Sequence, residues 1–395
     1  MRQESKEYGI KHFEIKDFGP IGSVSVDFGD LTIVVGPQAC GKSVFLETLK
    51  LVVDHDHVLD TLERYNYIIG HDAEKVLNVF FGDGLSGMWK KESLIKYGDD
   101  NYSLSRVLSQ KSNGQDETVF YIPAQRIMSI SDGRPKNFME FDSSAPYVLR
   151  MFSETLRLFL QYGMGSQEVL FPQENRLKVY LRTSFNKNIF HDGRIVMEER
   201  MGQKKMLLSV DGLSIPFMAW SAGQKEFMPL LLGFYCLSGP PSKVIKKEKY
   251  KYVVIEEPEM GLHPQAIVSL ILQMMELIQC GYKVIVSSHS PVFLEFAWAF
   301  NSLKDNIKYR EKALHEIFGI EGSGSPVIEM LNGIFDKSIR AYYFRKTEGE
   351  GKVESLDISS LDVCDDNRDI AGWGGLSDFS SKVSDVVSKY LIDND

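Results

Sequence analysis

Residues 36–43 read GPQACGKS and combine the residue types that hold phosphate. Gly36 and Gly41 permit backbone angles that a Cβ would obstruct. Successive N–H groups in the loop of Gly36, Pro37, Gln38, Ala39, Cys40 and Gly41 can therefore converge on phosphate oxygens. Lys42 would reach the β- and γ-phosphates, and Ser43 would offer its hydroxyl to Mg²⁺. A second chemical stretch is KYVVIEEPE at 251–259, where four apolar residues deliver Glu256 and Glu257. Adjacent carboxylates on a strand end point opposite ways and so can divide two jobs. Glu256 can hold the hydrated cation, and Glu257 can orient and deprotonate a water. Between these stretches, WSAGQ (220–224) puts Ser221, Gly223 and Gln224 at the start of an apolar helix, another natural anion site. SSHSP (287–291) ends a further apolar run and carries His289.

The elements needed to position these groups are legible in the periodicity. LTIVV (31–35) is a β-branched run before the glycine loop and SVFLETLKLVV (43–53) is helix-like after it, a strand–loop–helix unit that aims a helix N-terminus at phosphate. Residues 9–35 alternate apolar and polar as a meander feeding that loop. Helices are expected over roughly 43–66 and 72–80, followed by antiparallel strands around an Asp-rich turn near residue 99. TVFYIPAQR (118–126) reads as a buried strand stopped by Pro123, and 145–163 as a helix ended by Gly163. A second meander is expected over 178–218, from LKVYLRTSF, GRIVMEER, KKMLLSV and LSIPFMAW. KYVVIEE and YKVIVSSHS are continuous apolar runs of the kind that form buried parallel strands, with a helix over 264–279 between them. The tail beyond about 345 holds a hairpin (AYYFRKTEGEGKVESLDIS), an acidic loop (DVCDDNRD) and an amphipathic segment, FSSKVSDVVSKYLI.

At 395 residues, with 43% hydrophobic and 25% charged residues, the composition is that of an ordinary soluble protein with room for several lobes. No run of about 18 apolar residues occurs, so no membrane span is expected. The charged N-terminus lacks a signal-peptide core, which leads to an expected cytoplasmic location. The four cysteines, Cys40, Cys236, Cys280 and Cys364, form no CxxC pair and suggest neither zinc nor a disulfide framework. A net charge of −9 disfavours a nucleic-acid-coated surface. The best basic patch, the five lysines of 242–252, reads as a solvated loop. His55 and His57 are two apart on a helix, hence on different faces, and read as surface residues. Asp365, Asp366 and Asp369 read as a solvated acidic loop, and FAWAF (296–300) as core packing.

Taken in order, the motifs resemble the ABC-type ATPase head, in the branch of SMC-like repair ATPases and OLD-family defence ATPases. GPQACGKS resembles the Walker A loop, WSAGQ the signature usually written LSGGQ, VVIEE the Walker B strand, MGLHP (260–264) the D-loop, and SSHSP the switch histidine. EEPEMGLHP is especially similar to OLD-like proteins. The resemblance covers nearly all of residues 9–300. Trp220 and Ala222 depart from the usual signature, and Gly261-Leu262-His263 stands where transporters carry Ser-Ala-Leu-Asp.

The resemblance implies an α/β fold: a mixed, largely parallel core sheet around the phosphate loop, an antiparallel β subdomain and a helical lobe. No room remains for long coiled-coil arms. The expected divisions are 1–126 and 201–300 for the two halves of the head, 127–200 for the helical lobe and start of the meander, and 301–395 for a helical and hairpin extension. It implies ATP and Mg²⁺ as cofactors and hydrolysis to ADP and phosphate. Residues 36–43 would cradle the phosphates, Ser43 and Glu256 would hold the metal, Glu257 would activate water and His289 would contact the γ-phosphate. Gln125 is the choice for the family's metal-binding Q-loop glutamine, with Gln110 and Gln115 as alternatives. Ser221, Gly223 and Gln224 would act across an ATP-bridged homodimer or higher homo-oligomer. The role implied is that of a sensor or regulatory subunit of a bacterial antiphage system, similar to PARIS-type ATPase subunits. It would control a separately encoded nuclease or toxin and be triggered by a phage protein. The alternative is a compact DNA repair or recombination ATPase that clamps DNA.

Overall fold

The computed structural model describes residues 11–392, apart from 71, 109–115, 165–167, 243, 320–325, 348 and 350. Gln110 and Gln115 lie outside the described residues. A ten-stranded sheet runs through the molecule in the order β5-β4-β1-β2-β16-β15-β3-β14-β13-β6. One half is an antiparallel ribbon of β1 (His12–Phe18), β2 (Ile21–Asp27), β4 (Trp89–Tyr97) and β5 (Asp100–Tyr102). The other half is parallel: β15 (Ile339–Lys346), β3 (Leu31–Val35), β14 (Lys283–Ser288), β13 (Tyr252–Glu256) and β6 (Val119–Ile122). β3, β6 and β13 are buried along their whole length, which explains their largely apolar composition; Thr32 and Glu256 are the buried polar exceptions on them.

Neighbouring residues on these strands feed opposite cores, as the pleat requires. Ile33 and Val35 pack with α7 (Ala222–Ser238), α8 (Pro264–Gln279) and α9 (Pro291–Leu303). Val34 packs with α1 (Lys42–Val53), α2 (His55–Arg64) and α3 (Ala73–Phe81) on the other face. α4 (Leu104–Leu108) adds Val107 and Leu108 to that second core. A four-stranded antiparallel sheet, β12-β11-β10-β9, covers the α7 side. Its members are β9 (Val169–Phe171), β10 (Arg194–Arg200), β11 (Gln203–Val210) and β12 (Leu213–Pro216). A short ribbon of β7 (Ile130–Ser131) and β8 (Arg134–Pro135) leads into α5 (Tyr147–Leu158). α10 (Arg310–Phe318), α11 (Pro326–Ile334), α12 (Arg368–Ala371) and α13 (Asp378–Ile392) complete the chain. Among the described residues the longest helix, α7, has 17 residues, and no helix is long and apolar enough to cross a membrane.

Four sequence expectations change. LKVYLRTSF is not a strand: Val179–Phe185 is a helix, α6, because Leu181 and Phe185 are the buried positions and lie four apart while Val179 faces solvent. The 43–66 helix breaks at Asp54, whose carboxylate accepts from the N–H groups of Thr118 and Val119 and from Lys50 Nζ. His55 is buried, not superficial, with Nδ1 3.1 Å from Val52 O, because α2 turns that side of its first turn inward. The tail hairpin forms, with β15 antiparallel to β16 (Val353–Asp357), but it is inserted between β2 and β3. Residues 339–357 are therefore part of the central sheet, and β1–β2 is a hairpin that does not pair with β3.

Candidate functional site

The glycine loop joins the buried end of β3 to the first turn of α1. Gly41, with φ 77°, and Ala39, with φ 55°, carry the left-handed angles that curl the loop. Gly36 is required for a different reason: a Cβ there would meet Phe344 O of β15 at 2.4 Å and Cys40 Sγ at 2.8 Å. The tail strand thus forms the floor of the loop. A cleft of about 440 Å³ opens above it, lined by Gln38, Ala39, Gly41, Lys42 and Ser43 on one side and by Glu257 and His289 on the other. Pro20 and Val44 add apolar wall.

Lys42 is nearly buried, and its ammonium group donates to Gly36 O (2.9 Å) and Pro37 O (3.0 Å). It also lies 3.1 Å from His289 Nε2, which is 3.2 Å from Glu257 Oε1. One imidazole nitrogen offers either a proton or a lone pair, so Nε2 can bond the ammonium or the carboxylate but not both. Glu257 sits just past β13 with φ 42°, a costly backbone region for a non-glycine residue. It is held there by its N–H bond to Ser287 O (2.9 Å).

Glu256 points to the other side of the strand end and is almost wholly buried. Its Oε2 accepts from the Ala124 N–H at 3.1 Å, while Oε1 has no hydrogen-bond partner. Burial lifts its carboxyl above the usual carboxylate range, against the opposing pull of the Ser43 hydroxyl and the Ala124 amide. Burial, with the nearby Glu256 charge, also pushes Glu47 up, one turn along α1 from Ser43. An orphaned buried carboxylate oxygen beside an exposed hydroxyl fits a divalent cation. Among the described residues no group of three or more His, Cys, Asp or Glu could hold a metal alone. Magnesium would therefore draw its remaining ligands from phosphate and water.

Two residues escaped the sequence reading. Glu259 Oε1 accepts from Ser288 Oγ (2.8 Å) and from the His289 N–H (2.6 Å), so it fixes the turn that presents the histidine. Its only signal was its place as the third acid of EEPE. Arg126 is fully buried and spans the ends of β6 and β13 and the start of α7. Its neighbour Gln125 is exposed and does not line the cleft, one residue beyond the Ala124 amide that binds Glu256.

Ser221, Gly223 and Gln224 are also away from this cleft. Ser221 is the N-cap of α7 and forms a capping box with Gln224, whose amide oxygen accepts from the Ser221 N–H at 3.2 Å. The Gln224 side chain also donates to Ile189 O (3.2 Å), so its amide is engaged in shaping the helix start. Gly223 lies against the D-loop, where a Cβ would meet Gly261 O at 2.6 Å.

Residues 211–295, from the approach to Ser221 through His289, match the family model described as "AAA domain, putative AbiEii toxin, Type IV TA system". The chain is also 32% identical over 123 residues to the Old nuclease of Escherichia phage P2. Both matches cover part of the chain and support the reading of its motifs as an SMC/OLD-like ABC-type ATPase head. The Old nuclease match takes in 29% of this chain and 20% of that protein, so this head spans about a fifth of the length of the curated relative it matches. Among solved structures it is similar to the SMC head domain from Thermotoga maritima, with TM-score 0.39 and 11% identity over 88% of this chain and 98% of that one. It is also similar to an SmcHead bound to the C-winged helix domain of ScpA, with TM-score 0.41 and 12% identity over 88% and 97%.

Proposed function

We propose that this chain binds ATP with Mg²⁺, hydrolyses it, and does so in a head-to-head homodimer. The observation that carries the reading is the division of the site. Lys42, Ser43, Glu257 and His289 line one cleft, with Glu256 buried behind the Ser43 hydroxyl, while the signature residues Ser221 and Gly223 stand outside it at the start of α7. A second copy facing the first would bring its Ser221 to the open side of the nucleotide.

In this mechanism the loop amides take the phosphate oxygens, and the ammonium of Lys42 exchanges its bonds to Gly36 O and Pro37 O for the β- and γ-phosphates. Magnesium, held by Ser43 and Glu256, would neutralise phosphate charge, and the exposed Gln125 would have to turn inward to join them. Glu257 takes a proton from the attacking water as its oxygen bonds to the γ-phosphorus and the bond to the bridging oxygen breaks, leaving ADP and phosphate. His289 donates to the γ-phosphate oxygens and holds Glu257 in line. Catalysis is positioning and charge stabilisation on groups already in place.

The biological role we infer is control of a separately encoded nuclease or toxin effector in antiphage defence, with a phage protein as trigger. Its support is the EEPEMGLHP stretch and the local identity to a phage-borne Old nuclease. The DNA-clamp alternative leaned on the lysines of 242–252. Lys247 bonds Gly239 O and Lys249 bonds Asp116, so two of the five are engaged within the chain. The test uses the Glu257→Gln protein, which is expected to retain ATP binding while turnover falls by about 10²–10⁴-fold. Undiminished hydrolysis refutes the assignment. Recovering that variant from its native host with ATP and Mg²⁺ then separates the roles: a stoichiometric effector-like protein supports defence, and bound DNA without one supports the clamp.

A further inference from the structure

Arg126 is a buried cation whose acceptors are almost all backbone. Nε donates to Glu226 O at 3.1 Å, Nη1 to Glu256 O at 3.1 Å and Ala124 O at 3.5 Å, and Nη2 to Glu257 O at 3.2 Å and Pro258 O at 3.4 Å. The Glu226 carboxylate stands 3.8 Å from Nη2 as its counter-ion. A guanidinium has five N–H donors in a rigid fork, and here they reach three places: the end of β6, the end of β13 and the second turn of α7. An ammonium group, with three donors from one point, cannot span them.

The carbonyls it gathers are informative. Those of residues 256–258 belong to the backbone that carries both site glutamates and enters the D-loop. That of Glu226 belongs to the second turn of α7, whose N-cap is Ser221. A second contact joins the same two bodies, because Gly223 packs against Gly261 so closely that a Cβ on Gly223 would meet Gly261 O at 2.6 Å. A displacement of the 256–258 backbone would thereby be passed to the start of α7.

We propose that Arg126 is a positioning residue that couples nucleotide occupancy of its own cleft to the orientation of Ser221, so that the two sites of a dimer respond together. This rests on the ATP-bridged dimer proposed above. Arg126 touches no nucleotide in this scheme and acts through the carbonyls it holds.

The test compares full-length wild type, Arg126→Lys and Gly261→Ala by three measurements. These are binding of a fluorescent ATP analogue to dilute protein, ATP-dependent dimerisation by light scattering in the Glu257→Gln background, and turnover against ATP concentration. Wild type is expected to give a Hill coefficient above one. Arg126→Lys is expected to bind the analogue within about threefold of wild type, to lose at least about tenfold in kcat and in dimer affinity, and to bring the Hill coefficient to about one. A merely structural loss would lower the amount of active protein and leave the Hill coefficient alone. Gly261 is on the surface and holds φ 69°, where alanine is strained and should shift the D-loop away from Gly223, so its variant decides the matter if Arg126→Lys does not fold, with the same split expected. Wild-type kcat and Hill coefficient in the variants overturn the coupling while leaving the ATPase reading intact. A Glu257→Gln protein that stays monomeric with ATP overturns the dimer reading itself.

Discussion

Replacing Glu259 isolates the contribution of a well-placed switch histidine. One carboxylate oxygen holds two donors of the 288–289 turn, Ser288 Oγ at 2.8 Å and the His289 N–H at 2.6 Å. Ser288 Oγ in turn accepts from the Ser290 N–H at 2.9 Å, so the turn is tied through one side chain. Charge-assisted bonds of this kind contribute about 1.5–3 kcal/mol each. The site is only partly buried, and water recovers a share when the carboxylate is removed. A net release of about 2–3 kcal/mol is then available to let the turn wander, which corresponds to a fall of about 30–160-fold in the rate of a step that needs His289 in place. Glu259→Ala is expected to lower kcat by that factor while KM for ATP changes less than about threefold, since phosphate binding rests on Lys42 and the loop. Glu259→Gln keeps an acceptor oxygen and is expected to cost about 1 kcal/mol, roughly fivefold. The decisive assay is a double-mutant cycle with His289→Ala. If Glu259 acts through the histidine, the double variant is no slower than His289→Ala alone. Additive losses would refute the reasoning, as would a Glu259→Ala enzyme with wild-type turnover.

Two further tests address the loop and the metal position. In Gly36→Ala the new methyl would lie 2.4 Å from a backbone carbonyl of β15, which cannot swing away. About 1–3 kcal/mol of overpacking strain should reshape the loop and weaken ATP binding by at least about fivefold, and calorimetric binding with wild-type affinity would contradict it. Glu256 is held above the ordinary carboxylate range by burial, so without metal its contribution to stability is complete in acid and lost as pH rises through the raised value. At neutral pH the ionised group is a burden that a cation relieves. The thermal stabilisation given by Mg²⁺ with ATP should therefore be larger near about pH 8 than near about pH 5, where protons compete for the carboxylate, and Glu256→Gln should flatten the difference. Equal stabilisation at both pH values in the wild type would count against Glu256 as the metal-facing carboxylate.

What the sequence could and could not show follows from where each interaction is encoded. Residues 36–43 are contiguous and their chemistry is that of the side chains and glycines themselves. β3, β13 and β14 announce burial on both faces by largely apolar runs. α6 was misread because Val179, Tyr180 and Thr183 supply β-forming residue types, while the positions that touch the core, Leu181 and Phe185, follow the helical period. His55 was misread because its spacing from His57 showed only that the two lie on different faces, not which face is inward, and α2 buries the His55 edge beside Val58 and Leu59. The hairpin of β15 and β16 was legible as a hairpin. Its place was not, since pairing Ile339 with Leu31 and Val353 with Ile21 depends on registers set across most of the chain.

Arg126, Glu259 and the β15 floor beneath Gly36 share a reason for being missed, and it bears on how the site works. Their partners are mainly main-chain groups: the carbonyls of residues 124, 226 and 256–258, the amide of His289, and the carbonyl of Phe344. A side chain that binds a peptide group leaves no complementary residue type elsewhere for a motif to reveal. Such contacts nevertheless fix backbone paths, and the backbone path is what puts Glu257 in a left-handed conformation opposite Lys42. The residues that would perform the chemistry are therefore visible in the sequence, whereas those that hold them in line are spread over β6, α7, the D-loop and the tail strand. A change on any of these four segments reaches the cleft without touching nucleotide. That is the arrangement a head needs if its hydrolysis is to be governed from a distant surface.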